Sequence, residues 1–235
     1  DYSELPYAKK VSEAISSDHT EIIMTPGEFM KNIEKVIWYR ETPIMTSDIP
    51  LYLLSQAAAE KVKVVLTGEG GDEVFAGYSK YGFERIAARS GMSGFSHLRP
   101  IIRNRTAKAL IPQRWLAAFE LFSDPDRFNR YYRWFNCFRE EELEFMLRPD
   151  RRELLEAGNA YAEIIDGKQF RTNLDEMQYL DMKVWLPDNL LLRGDRMSMA
   201  AGLEARVPFL DHRLVELSYN IPDLSLIHIS EPTRP

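Results

Sequence analysis

Three carboxylates, Glu69, Asp72 and Glu73, crowd the run Val64-Val65-Leu66-Thr67-Gly68-Glu69-Gly70-Gly71-Asp72-Glu73-Val74-Phe75-Ala76-Gly77-Tyr78. A hydrophobic strand here runs into a glycine-rich turn, and a helix is expected to follow. In open α/β sheets ligands bind beyond the carboxyl ends of the strands, where such a loop would lie. Glycines let a backbone approach a ligand closely, and free amides at a helix start can hold phosphate. Two familiar nucleotide loops are excluded. The dinucleotide fingerprint needs a third glycine where Glu73 stands, and the Walker loop needs a Gly-Lys pair that is absent from this run. Carboxylates repel phosphate unless a cation intervenes, and Mg²⁺ takes one or two carboxylates together with phosphate oxygens. The loop therefore reads either as a site for a nucleotide with Mg²⁺ or as a tight turn whose acids cap the next helix.

The elements that would position this loop alternate in type. Glu21-Ile22-Ile23-Met24 reads as a short buried strand. Thr25-Pro26-Gly27-Glu28 then signals a helix start, with Thr25 as N-cap, Pro26 at the first position and Glu28 three after the cap. Phe29, Ile33, Val36 and Ile37 follow at helical spacing. A second helix is expected over 49–60, and Lys61 to Leu66 reads as a strand of the kind buried in a parallel sheet. This order favours an α/β fold with a parallel sheet and flanking helices. Beyond about residue 84 the pattern is helical. Trp115, Phe119, Phe122, Tyr131, Tyr132, Trp134 and Phe135 stand in a basic stretch that could suggest a nucleic-acid surface, but aromatics at helical spacing form core, with Cys137 as a small buried hydrophobe among them. Asn173 to Trp185 predicts a helix with Asn173 as N-cap and Met177, Leu180 and Val184 on one face, ended by Pro187; Asp211 is expected to cap a last helix.

The composition fits this reading. The 235 residues are 45% hydrophobic and 28% charged, with a formal net charge of −6. That is an ordinary globular composition, and an acidic surface does not attract phosphate backbones, so no nucleic-acid partner is expected. No apolar run approaches the roughly 20 residues of a membrane span. The single cysteine excludes an internal disulfide and is consistent with a cytoplasmic location.

The run Leu66 to Glu73, followed by Phe75-Ala76-Gly77-Tyr78, resembles the Ser-Gly-Glu-Gly-x-Asp-Glu-x-Phe-x-Gly-Tyr signature of the glutamine-hydrolysing asparagine synthases. Leu186-Pro187-Asp188-Asn189-Leu190-Leu191, Asp195-Arg196-Met197-Ser198-Met199 and Leu203 through Asp211 resemble the second block of that family. Glu41-Thr42-Pro43 and Pro50-Leu51-Tyr52-Leu53 are similar to the segment before its first loop. The resemblance covers nearly all of residues 1–223 and implies an ATP-pyrophosphatase-type α/β domain with a helical C-terminal half. It further implies that ATP, with Mg²⁺, activates the side-chain carboxylate of aspartate as an acyl-adenylate. Ammonia released from glutamine by a separate N-terminal glutaminase domain then gives asparagine, AMP and pyrophosphate. Sister enzymes of this kind, amidotransferases or cyclases, adenylate other carboxylates; a non-catalytic nucleotide-binding remnant is the alternative of a different class, and a homodimer is compatible with the family.

By position, the resemblance assigns Thr67, Gly68 and Gly70 to ATP, Glu69 to formation of the adenylate, and Asp72 to Mg²⁺. Serine is usual where Thr67 stands, and the hydroxyl is retained. Asp195, Arg196 and Arg206 either shape the site or form a buried ion-pair network that fixes loop geometry, the second being favoured because buried charges need partners.

Three parts of the family's machinery are absent from these residues: the upstream Ser-Gly-Gly-x-Asp-Ser loop, a downstream lysine and the glutaminase domain. The tail from 224 to 235 resembles a translated sequencing adapter, and the expectation is a reading frame truncated at both ends. The chain alone is accordingly expected to release neither AMP nor pyrophosphate from ATP and aspartate. A coupled pyrophosphate assay checks this, and product formation would show that the missing loop and lysine are dispensable.

Overall fold

The computed structural model describes residues 5–89, 126–134, 145–147, 158–223 and 225–226. In chain order the elements are helices α1 (Leu5–Ile15), α2 (Pro26–Arg40) and α3 (Asp48–Ala59), strand β1 (Val64–Leu66), the single turn α4 (Gly71–Val74) and α5 (Ser79–Arg89). Then come α6 (Arg127–Arg133), α7 (Gly158–Ile165) and α8 (Asn173–Leu180), which runs on through a π-helical stretch (Asp181–Leu191) into α9 (Leu192–Met199). Strand β2 (Glu204–Arg206), a 3-10 turn (Pro208–Leu210) and α10 (His212–Ser218) follow. The architecture is α/β, with a small parallel sheet and many helices. Among the described residues no helix is long and apolar enough to cross a membrane.

The chain forms two compact units. The first comprises Asp1–Thr67 and Leu191–Arg206. Its sheet pairs β1 with β2 in parallel, matching Val64 with Glu204, Val65 with Ala205 and Leu66 with Arg206. Glu204 N–H donates to Lys63 O at 2.9 Å, and Thr67 N–H donates to Arg206 O at 2.8 Å. Helix α2 starts as its sequence dictates. Thr25 Oγ1 accepts from Glu28 N–H at 3.2 Å, and Glu28 Oε2 accepts from Thr25 N–H at 2.8 Å. These bonds satisfy two amides that the first helical turn would leave without partners. Val36, Ile49, Tyr52 and Met197 form the core of this unit, packing α2, α3 and α9 together.

Two expectations for this unit need correction. Glu21 to Met24 is not a strand but irregular chain, with Ile23 72% exposed. A run of three apolar residues makes a strand only when a neighbour takes its backbone bonds, and among the described residues none does so; Met24 packs into the core as part of a loop. The strand expected over 61–66 is shorter and less buried than predicted. Lys61 and Val62 donate to Ala58 O as the turn that closes α3, and Leu66 is 73% exposed. Burial on both faces requires helix layers on both sides of a sheet; the helices α2, α3 and α9 of this unit pack chiefly on one another.

The second unit comprises Gly68–Leu190 and Val207–Pro235. Its core joins Ala76, Tyr81, Tyr131, Ile165, Leu174, Met177, Leu180 and Leu226. The core role expected for the aromatics holds for Tyr131, with Phe128 and Trp134 packed against it. Trp115, Phe119, Phe122, Phe135, Cys137 and the side chain of Tyr132 lie outside the described residues. Helix α8 is capped by Thr172 rather than Asn173: Thr172 Oγ1 accepts from Asp175 N–H at 3.2 Å. Nor does Pro187 end the helix. From Asp181 the turn widens to π-helical geometry, which relieves the clash a proline ring makes with the carbonyl four residues back in an α-turn. Asp211 caps α10 as expected, its Oδ1 accepting from Arg213 N–H at 3.0 Å.

Thr25→Ala is expected to lower stability by about 1 kcal/mol through loss of the cap oxygen, while Thr25→Ser retains it. Urea denaturation of the two variants checks this.

Candidate active site

The signature loop leaves β1 at Thr67, in the first unit, where the hydroxyl oxygen is buried without a hydrogen-bond partner. A buried hydroxyl with nothing to bond is a standing cost in a finished fold. It fits a residue whose partner is a ligand, as expected if Thr67 meets the nucleotide. Gly68 begins the second unit and is exposed, with open space where a side chain would stand. Glu69 is half-buried, and Asp72 is exposed in the first turn of α4.

Two glycines of the loop are required by shape. Gly70 is the N-cap of α4 at φ +87°, and a Cβ there would lie 2.3 Å from Leu210 Cδ2. The 3-10 turn over Pro208–Leu210 thus presses on the glycine pair, with the Phe209 ring edge-on to Phe75 at 6.1 Å. Gly77 donates its N–H to Asp72 O at 2.8 Å, and a Cβ on it would come 1.9 Å from Asp72 Oδ1. The Asp72 carboxylate therefore rests in the space of the missing side chain. Asp72 and Glu73 both stand in the first turn of α4, where carboxylates suit the positive end of a helix.

Beneath the loop lies a buried polar network of which sequence reasoning singled out only Glu73. Glu73 is 1% exposed and its Oε1 accepts from Tyr78 O–H at 2.7 Å. Burial pushes the Glu73 carboxyl above its ordinary value. Lys80 Nζ bonds Asp181 Oδ1 at 2.8 Å, and Tyr81 O–H donates to Asp181 Oδ2 at 2.5 Å. Burial moves the Lys80 ammonium down and the Asp181 carboxyl up, and each opposes the other's shift as its ion-pair partner. Gln178 Nε2 donates to Glu73 O at 2.8 Å and to Val74 O at 3.1 Å. One signal could have revealed Asp181: it falls one turn after Met177 and one residue after Leu180, a charge beside the apolar residues of a helix.

The second block behaves otherwise than expected. Asp195 is exposed. Arg196 pairs with Glu41 at 2.5 Å, and Arg206 with Glu204 of its own strand at 2.8 Å, both pairs at the surface. The buried ion-pair network expected of Asp195, Arg196 and Arg206 is therefore not formed. All three belong to the first unit, where Arg206 contributes through its carbonyl, as acceptor for Thr67.

Among the described residues no group of three acidic, histidine or cysteine side chains could hold a metal by itself. That donor set fits Mg²⁺ only as an ion shared between phosphate oxygens and a lone carboxylate, for which Asp72 is the exposed candidate.

The described residues thus set a strand running into a glycine-rich acidic turn at the head of a short helix, within an α/β chain. The family model described as asparagine synthase matches residues 1–228, and the chain belongs to that family. It is 29% identical over 230 residues to asparagine synthetase [glutamine-hydrolyzing] 1 of Bacillus subtilis, covering 94% of this chain and 35% of that protein. It is also 29% identical over 222 residues to asparagine synthetase [glutamine-hydrolyzing] 3 of the same organism, covering 92% and 30%. It is 26% identical over 245 residues to amidase chyE of Penicillium rubens, covering 97% and 36%. The chain spans about a third of the length of the curated relatives it matches.

Gly70→Ala is expected to lower the melting temperature through both its positive φ and its overlap with Leu210. Adding Leu210→Ala should recover only the overlap share, leaving about 1 kcal/mol of backbone strain. Thermal denaturation of the single and double variants separates the two.

Proposed function

We propose that this chain is part of the synthetase domain of a longer, cytoplasmic, ATP-dependent amide-forming ligase of ATP-pyrophosphatase-type fold. Aspartate and ATP are its substrates, and glutamine, hydrolysed by an attached glutaminase domain, supplies the ammonia. The observation that carries this reading is the signature loop, where Gly68 leaves open space for a close backbone approach and Asp72 is exposed in the first turn of α4, within a family match spanning nearly the whole chain.

The proposed chemistry has two steps. A carboxylate oxygen of aspartate bonds to the α-phosphorus of ATP and pyrophosphate leaves. The nitrogen of ammonia then adds to the acyl carbon, the carbon–oxygen bond to AMP breaks, and the nitrogen gives up a proton. Adenylation brings two anions together, so the protein must position them and offset their charge rather than supply a covalent nucleophile. Thr67 and Gly68 would meet the nucleotide with hydroxyl and backbone, and Gly70 lets the loop turn. Glu69 would orient the amine or accept its proton. Asp72 would hold Mg²⁺, which supplies charge neutralisation at the phosphates when bound.

A second reading keeps the chemistry and changes the carboxylate. It is raised by the similarity, over 97% of this chain, to a relative named an amidase and not an asparagine synthetase.

In the full-length protein, Glu69→Gln is expected to reduce aspartate-dependent pyrophosphate release by about a hundredfold or more, with the melting temperature unchanged. Steady-state release of AMP and pyrophosphate checks this. A variant with wild-type rates would falsify the role of Glu69. A wild-type protein active only with another carboxylate would select the second reading.

A further inference from the structure

The residues that grip the signature loop come from one face of one helix. Gln178 and Asp181 stand one turn apart, and both are buried, as are Lys80 and Tyr81. Gln178 bonds the carbonyls of Glu73 and Val74, the end of α4, where a helix leaves acceptors without intrahelical partners. Asp181 takes Lys80 and Tyr81, the start of α5. Between these two grips lies the turn in which Ala76 adopts φ +54° and Gly77 makes room for Asp72. The grips therefore bracket the turn against which the Asp72 carboxylate rests. A buried ion pair is weak evidence for stability, because apolar residues of similar volume often serve as well. What apolar replacements cannot do is fix the position of two carbonyls and one ammonium.

We infer that Gln178 and Asp181 are positioning residues that lock the register of the signature loop and so set where Glu69 and Asp72 stand. The kinetic half of this inference rests on the ligase reading above; the structural half does not.

The test uses the full-length protein with two variants, Gln178→Leu and the double replacement Lys80→Met with Asp181→Leu. The second removes both charges together and serves if the first does not fold. Two measurements are made on each: hydrogen exchange of the amides of residues 70–77, with those of 26–40 as an internal reference, and steady-state pyrophosphate release. Exchange over 70–77 is expected to rise while 26–40 keeps its protection. The kcat is expected to fall about ten- to a hundredfold, the penalty of a small misplacement at a reacting centre, with KM for ATP nearly unchanged. Unchanged exchange over 70–77, or a rise shared equally by 26–40, overturns the inference, as does local loosening with wild-type kcat. If the wild-type protein releases no pyrophosphate with any carboxylate, the ligase reading fails, and the exchange pattern alone decides whether the loop is locked as described.

Discussion

A carboxylate taken out of water must be met by donors, and Asp181 is 3% exposed. That single requirement organises much of the second unit. Lys80 and Tyr81 must reach Asp181, so α5 has to lie against α8 and its π-helical continuation. With α5 fixed, the loop before it has little freedom. Tyr78 turns its hydroxyl to Glu73, whose own burial needs such a partner, and Gln178 closes the end of α4. Tyr81 then belongs to two systems at once: its ring fills the core beside Met177 and Leu180, while its oxygen completes the shell of Asp181.

In the first unit the organising contact is main-chain rather than ionic. The parallel pair β1–β2 ends at Thr67, whose N–H takes the carbonyl of Arg206. The signature thus begins at the last bond of a ladder, on backbone held by a strand from the other block of family resemblance. Arg206 matters here through its carbonyl, and its guanidinium is occupied by Glu204.

What could be read from the residues follows a physical division. Local devices were legible: the box of Thr25 and Glu28, the Asp211 cap and the helix over Asp48–Ala59 depend on interactions within a few residues. The signature loop was legible as a likeness, and so were the positions its glycines must occupy. Features that depend on distant partners were not. β2 is three residues long and became a strand only by pairing with β1. Glu21 to Met24 had the composition of a strand, but among the described residues no neighbour pairs with it. The role of Asp181 depends on Lys80, a hundred residues away along the chain. Pro187 misled because the proline rule assumes an α-turn, and the chain adopts a wider one there.

The parallel pairing also has a consequence in time. When β1 has been synthesised, its partner Glu204–Arg206 is still unmade. At ordinary elongation rates of about 5–20 residues per second, the interval is on the order of ten seconds. Throughout it the backbone groups of Val64–Leu66 lack the β2 ladder that they join in the fold. Helices α2 and α3 can form at once from local signals, whereas the strand that launches the signature loop must wait. Between β1 and β2 the nascent chain therefore carries three strand residues whose ladder partner is still to be made, an edge open to unwanted pairing.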